Sequence, residues 1–237
     1  MVIDKSNERV RQMFGEIAPK YDRMNHLLSM NVDRLWRRKT VRMVRPLSNA
    51  PILDVCTGTG DLALALYREK KGKATVVGAD FCREMLEVGE RKRIRRGFTD
   101  NFQFVEADTQ ALPFESGSFQ LVTVAFGLRN VADTDLGLRE MTRVCESGGK
   151  VVVLEFSMPT RQPFRGMYRW YFQNILPRIG QLLARNSSEA YAYLPDTVED
   201  FPCGQALVER MEAAGLKEVE FHPLTMGIAT LYIGKKA

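Results

Sequence analysis

Ile52-Leu53-Asp54-Val55-Cys56-Thr57-Gly58-Thr59-Gly60-Asp61 is the stretch on which the fold turns. A short apolar strand carries an acid near its end, then opens into a tight glycine turn. The turn runs into a helical pattern through Leu62, Ala63, Leu66 and Tyr67. Glycine has no Cβ and tolerates unusual backbone angles, so such a turn lets a ligand approach the main chain closely. An adenosine-bearing cofactor is the ligand class that fits.

Outward from this stretch, strands and helices alternate. The pattern predicts strands at 74–79, ending in Asp80, at 102–106, ahead of Asp108, at 119–125 and at 150–156. Helices are predicted over 83–95 and from a cap at Asp133 to Cys145, with Gly148-Gly149 turning into the fifth strand. Upstream, residues 4–46 read as helical in two stretches parted near Met30-Asn31. Val10, Met13, Phe14 and Ile17 recur at helical spacing there. Residues 157–203 read as mostly helical, followed by a helix at 204–214. Strands at 216–222 and 228–233 close the chain. Their short connection, Pro223-Leu224-Thr225-Met226-Gly227, requires antiparallel pairing. The expected fold is α/β, a mostly parallel seven-stranded sheet with an antiparallel strand at its C-terminal edge. One domain, 1–237, is expected. It comprises a helical extension (1–46), a cofactor-binding core (51–156), a helical insertion (157–203) and a terminal helix and hairpin (204–237). Ligands of such sheets bind at the carboxyl ends of the strands.

Thirty-four basic against 29 acidic residues give a net charge of +5, too mild to argue for nucleic acid. The four cysteines form no CxxC or Cys/His spacing, and only two histidines are present, so no metal site is expected. The cysteines read as reduced thiols of a cytoplasmic protein. No N-terminal apolar stretch reads as a signal peptide, and no run has the length of a membrane span.

Gly58-Thr59-Gly60-Asp61-Leu62-Ala63 satisfies G-x-G-x-x-[GA], so a nicotinamide or flavin oxidoreductase must be weighed. Against it stand Asp54 inside the strand end, the single mononucleotide half and the terminal hairpin. D-x-x-x-G-x-G, Asp80 and Asp108-Thr109 together resemble the class I S-adenosylmethionine-dependent methyltransferases. That resemblance implies S-adenosyl-L-methionine as cofactor, with Gly58, Thr59 and Gly60 near its methionine moiety. It also implies Asp80 on the ribose hydroxyls and Asp108 with Thr109 at the adenine. Two carboxylate oxygens match a vicinal diol. Asp54 receives an amine or orders the loop. Capping roles for Asp80 and Asp108 are the plain alternatives.

Tyr21-Asp22-Arg23-Met24-Asn25-His26-Leu27-Leu28-Ser29, Trp36, Phe126-Gly127-Leu128-Arg129-Asn130-Val131 and Leu154-Glu155-Phe156-Ser157 narrow the class. With Leu176-Pro177-Arg178-Ile179-Gly180 and Tyr191-Ala192-Tyr193-Leu194, they resemble the menaquinone/ubiquinone biosynthesis C-methyltransferases across essentially the whole chain. Asp33 stands where that family usually carries His, and Ala125 where some members present a serine. The resemblance implies C-methylation of a reduced prenylated quinol such as demethylmenaquinol. The benzoquinol step of ubiquinone biosynthesis and O- or N-methylation of another amphiphile remain alternatives. Arg129 is the candidate for stabilising the oxyanion, or an ion pair organising its loop. Asn130 orients the quinol oxygen or a water, or forms a turn. Tyr21 carries a hydroxyl into the site, or simply packs beside Trp36. His26 and His222 read first as structural, and no general base stands out. Residues 161–185 form a basic amphipathic element (Phe164, Met167, Tyr171, Ile175, Ile179, Leu182 with Arg165, Arg169, Arg178), interrupted by Pro177. It suits either peripheral contact with the inner face of the cell membrane or a lid over the cofactor. A homodimer stays open.

Overall fold

The computed structural model describes residues 6–45, 48–98, 101–159, 161–171, 174, 195 and 197–237. Its strands are β1 (Ile52–Val55), β2 (Val76–Asp80), β3 (Phe102–Glu106), β4 (Phe119–Ala125), β5 (Cys145–Phe156), β6 (Leu216–Leu224) and β7 (Ala229–Lys236). They form one sheet in the order β3-β2-β1-β4-β5-β7-β6. The first five pair in parallel, and β7 pairs antiparallel with both β5 and β6. The order reverses between β1 and β4, which puts the topological switch point beside the glycine turn.

The antiparallel strand lies one place in from the edge expected of it, and β6 takes the edge. Their burial explains the placement: β7 is buried from Ala229 to Gly234, whereas β6 exposes Lys217, Glu218 and Glu220. Charged side chains suit an unpaired edge. The fifth strand starts at Cys145 rather than 150, because the chain bulges through Gly148 at φ +78° and resumes pairing at Lys150.

Helices are α1 (Asn7–Ile17), α2 (Tyr21–Leu28), α3 (Val32–Val44), α4 (Asp61–Glu69), α5 (Arg83–Arg95), α6 (Thr134–Val144), α7 (Phe164–Trp170) and α8 (Gln205–Ala213). The N-terminal segment is thus three helices, not two. Besides the break at Met30-Asn31, where both residues take positive φ, Pro19 lies in a second break after Ile17. Asp133 caps α6 as expected, its Oδ1 accepting from the Leu136 amide at 2.9 Å. The motifs at 176–180 and 191–194 and most of the amphipathic element lie outside the described residues.

Alternation along the strands sorts the core into two layers. Leu53, Val55, Val122, Val124, Val151 and Val153 pack with Leu138 and Met141 of α6 and Leu207 and Met211 of α8. Ile52, Val76, Leu121, Val152 and Leu154 pack with Trp36 and Val41 of α3 and Leu62 and Leu66 of α4. The polar residues at the strand ends are left to face a cleft.

Candidate active site

The two glycines of the opening turn have different reasons to be glycine. Gly58, at φ +57°, lines the cleft, and a Cβ there would meet nothing within 4 Å. Gly60, at φ +80°, starts α4, and a Cβ would fall 2.6 Å from the Phe104 ring. Gly60 is therefore behind the wall, while Gly58 and Thr59 form it. Asp80, at the end of β2, ties the turn down: its Oδ2 accepts from the Gly58 amide at 2.8 Å and its Oδ1 from the Cys82 amide at 2.9 Å. Burial pushes the Asp80 carboxyl up to about 6, against those hydrogen bonds. Asp54 is buried more deeply, accepting from the Thr123 hydroxyl at 2.5 Å and the Thr57 hydroxyl at 2.6 Å. Burial pushes it too up to about 6.

Beyond β3, Asp108 accepts from the Gln110 amide at 2.9 Å, and Thr109 lies 3.2 Å from the Cys56 sulfur through its hydroxyl. Both line the cleft. Neighbouring strand ends then carry two non-glycine residues in left-handed conformations, Cys56 (φ 47°) and Phe126 (φ 60°). Such strain is typical of functional loops. It brings the loops so close that a Cβ on Gly127 would sit 2.4 Å from the Cys56 Cβ.

Arg129 follows in a short 3-10 turn (Leu128–Asn130). It is buried against Glu155 of β5, Nη1 to Oε1 at 2.8 Å, and also donates to the Phe126 carbonyl. Its guanidinium lies 5.3 Å over the Phe156 ring. Arg129 Nε and Asn130 Oδ1 are buried without a hydrogen-bond partner among the described residues. Asn130 lines the cofactor cleft, whereas Arg129 lines the cavity next to it.

The far wall is built by α1–α3, and most of it was not legible in the sequence. Tyr21 was singled out and does line the cleft. Burial raises its phenol, with Arg129 and Arg37 pulling the other way. Asp22, His26, Asp33 and Arg37 were not singled out as functional. Asp22 accepts from the Thr59 hydroxyl at 2.5 Å and from Lys92 at 2.8 Å, and Lys92 also reaches Asp61 at 2.5 Å. Asp33 gathers the Arg37 guanidinium at 2.6 Å, the Ser29 hydroxyl at 2.7 Å and His26 Nδ1 at 2.9 Å. Burial works to raise the Asp33 carboxyl, but those three partners outweigh it and hold it below the usual range. The one available signal was the position of Asp22, His26 and Asp33 inside the Tyr21–Trp36 stretch, with Arg37 directly after it, since no spacing rule connects residue 22 to residue 59. Ligand atoms of His26, Asp33 and Asp61 lie within 4.8 Å of one another. Arg37 and Lys92 already neutralise the two carboxylates, so the donor set is poor for a cation.

Two cavities meet here. A mixed-polarity cleft of about 890 Å³ runs along the strand ends. An apolar cavity of about 1550 Å³ adjoins it, walled by Trp36, Phe156, Phe164, Met167, Tyr168 and Ile228. Phe14, Tyr21, Asn25, Arg37 and Phe126 border both.

A sheet of this order, with a glycine turn after β1 and acids beyond β2 and β3, defines a class I S-adenosylmethionine-dependent methyltransferase. The same fold occurs in a SAM-dependent methyltransferase from Aquifex aeolicus, with a TM-score of 0.63 at 15% identity over 85% of this chain and 89% of that one. The ubiE/COQ5 methyltransferase family matches residues 2–236. A demethylmenaquinone methyltransferase of Thermus thermophilus is 47% identical over 94% of this chain and 100% of its own length. A ubiquinone/menaquinone biosynthesis C-methyltransferase UbiE of Geobacter sp. (strain M21) is 43% identical over 99% of both. The chain belongs to the ubiE/COQ5 methyltransferase family, and its methyl donor is S-adenosyl-L-methionine. The open cradle at Gly58 and the Asp80 carboxylate at the cleft fit that donor.

Proposed function

We propose that this protein methylates a ring carbon of a reduced prenylated quinol, converting demethylmenaquinol to menaquinol. The observation that carries this reading is the large apolar cavity joined directly to the cofactor cleft, a shape for an aromatic head with a hydrocarbon tail. The names of the relatives support the same acceptor class. When bound, S-adenosyl-L-methionine supplies an electrophilic sulfonium methyl, which an electron-rich quinol carbon can take and an electrophilic quinone carbon cannot.

Gly58, Thr59, Asp80, Asp108 and Thr109 hold the donor, with Asp80 on the ribose. Asp54 meets the methionine amine, and Gly60 sets the turn from behind. Arg129, fixed by Glu155 and keeping Nε unpartnered, stabilises negative charge growing on the quinol oxygen. Tyr21 stays protonated because burial raises its phenol, so it donates a hydrogen bond to that oxygen. Asn130 Oδ1 accepts from a quinol hydroxyl or holds the water that carries its proton away.

A prenylated acceptor lives in the bilayer. No described helix is long and apolar enough to cross a membrane. Met30 and Met167, on the wall of the apolar cavity, are exposed, as are Trp170 and Met226, next in sequence to the lining residues Tyr171 and Thr225. With Arg161, Arg165 and Arg169 nearby, this rim suits peripheral docking on an anionic inner membrane face.

The deciding experiment gives the purified protein labelled S-adenosyl-L-methionine with a reduced prenyl naphthoquinol, a reduced prenyl benzoquinol and the oxidised naphthoquinone. Label is expected on the naphthoquinol and absent from the quinone. Transfer to the benzoquinol alone would favour the ubiquinone step, and transfer to neither quinol would overturn the reading.

A further inference from the structure

We infer that Arg37 receives the carboxylate of the cofactor's methionine end on the guanidinium edge formed by Nε and Nη2. The inference deepens the assignment of the cleft to S-adenosyl-L-methionine and rests on it. Its starting point is the charge of the wall. Asp22, Asp54, Asp61, Asp80 and Asp108 all line the cleft, and Arg37 is the one basic side chain lining it among the described residues. The donor brings two cationic groups, an ammonium and a sulfonium, and one carboxylate. An acid-lined cleft accommodates the first two readily. Lys92 compensates Asp22 and Asp61 from behind, but of the side chains that line the cleft only Arg37 offers the third a positive charge.

The guanidinium is held in a way that leaves this edge available. Nη1 is committed to Asp33 at 2.6 Å, and the Cζ lies 5.2 Å from the centre of the Phe126 ring, so the plane is fixed from two sides. Nε is buried and has no hydrogen-bond partner among the described residues. Nε and Nη2 share the edge that carboxylates take in bidentate pairing. Asp54, which the positive charge of Arg37 helps to ionise, offers the complementary site for the ammonium, so the two sides of the amino acid meet opposite charges. Anchoring at Asp33 also gives that residue a function: it orients Arg37 rather than touching the ligand.

The test compares a ligand that carries the carboxylate with one that lacks the whole amino acid. Binding of S-adenosylhomocysteine and of 5′-methylthioadenosine is measured by calorimetry for the wild type, Arg37→Gln and Arg37→Lys. Arg37→Gln is expected to weaken S-adenosylhomocysteine about 10- to 100-fold, the loss of a charge-assisted pair, and to change 5′-methylthioadenosine less than about twofold. Arg37→Lys keeps a charge for Asp33 but loses the fork, and should lose at least about threefold on S-adenosylhomocysteine alone. Equal losses on both ligands would make Arg37 a purely structural residue and overturn the proposal, as would a wild-type ratio in either variant. If the wild type itself bound neither ligand, the cleft assignment would fall first.

Discussion

The strand-end side of the cleft and the helical wall opposite hold their acids by different means. At the strand ends, Asp80 and Asp108 take hydrogen bonds from backbone amides in or beside their own loops, Gly58, Cys82 and Gln110. On the helical wall, Asp22 is held by Lys92, 70 positions away, and Trp36 is tied to Thr225 across 189 positions. Backbone donors are delivered by the strand-to-loop geometry, so Asp80 and Asp108 are held by the loops at the strand ends. Asp33 draws its side-chain partners from within seven positions, but those of Asp22, and the Thr123 hydroxyl on Asp54, exist only after the fold has closed. The acids held by loop amides are therefore a property of motifs, and those held by distant side chains a property of tertiary structure.

Arg129 belongs to both regimes, and its removal should have the largest effect. Its guanidinium is the ionic partner of Glu155, which is 1% exposed. Arg129→Ala strands that carboxylate, and a destabilisation of about 3–5 kcal/mol is expected from chemical denaturation. Arg129→Met combined with Glu155→Gln removes both charges and should restore most of that loss. Turnover of the double variant should nevertheless stay about 100-fold or more below wild type, with cofactor affinity nearly unchanged, if Arg129 stabilises the oxyanion. Wild-type turnover in the double variant would leave Arg129 as an organiser of its loop.

The next effect sharpens the strand-end side. If Asp80 holds the ribose, as proposed, it must be ionised to accept two hydroxyls, and burial pushes its carboxyl up to about 6. Binding thus releases a proton when the pH is below that value. Affinity for S-adenosylhomocysteine should fall by about tenfold for one such group between about pH 7 and about pH 5, most of it below about pH 6, and stay flat from about 7 upward. Asp54, also at about 6, adds a second increment if it meets the ammonium. Asp80→Asn should weaken binding about 10- to 100-fold at neutral pH and make the acid limb shallower. An unchanged dissociation constant and slope, read by calorimetry, would remove Asp80 from the ribose.

How much of the molecule was legible follows the same division. The alternation of strands and helices appeared because each strand is a short apolar run bounded by turn residues, and Phe102–Glu106 and Arg83–Arg95 match the reading to the residue. The strand-end acids were visible for the same reason. What failed locally was whatever a neighbour decides. The apolar β7 displaced β6 to the edge, and a second break, holding Pro19, split helices that amphipathic spacing had joined. Gly60 looked like a ligand-facing glycine, yet Phe104, 44 positions on, is what forbids a side chain there. Arg37 sits in a run of cations from Arg34 to Arg45 in which nothing local sets it apart. Only the folded wall shows it lining the cleft, the one basic residue to do so among those described.

The smallest effect concerns the outermost part of the helical wall, where the comparison is easiest to break. Trp170, 61% exposed, and Arg165, also exposed, lie on α7, whose Phe164, Met167 and Tyr168 line the apolar cavity. Both side chains are exposed, so they contribute little to the core. Trp170→Ser with Arg165→Ser should therefore leave thermal stability within about 1 kcal/mol, as for surface changes. If the rim docks on lipid, the same pair should reduce sedimentation with anionic phospholipid vesicles about three- to tenfold and slow methylation of a long-tailed quinol in those vesicles. Methylation of a short-tailed quinol in free solution should not change, because that acceptor needs no bilayer to reach the cavity. Equal slowing of both acceptors would mean that the rim is part of the acceptor site itself. The helical wall would then end at the pocket, with no membrane surface beyond it.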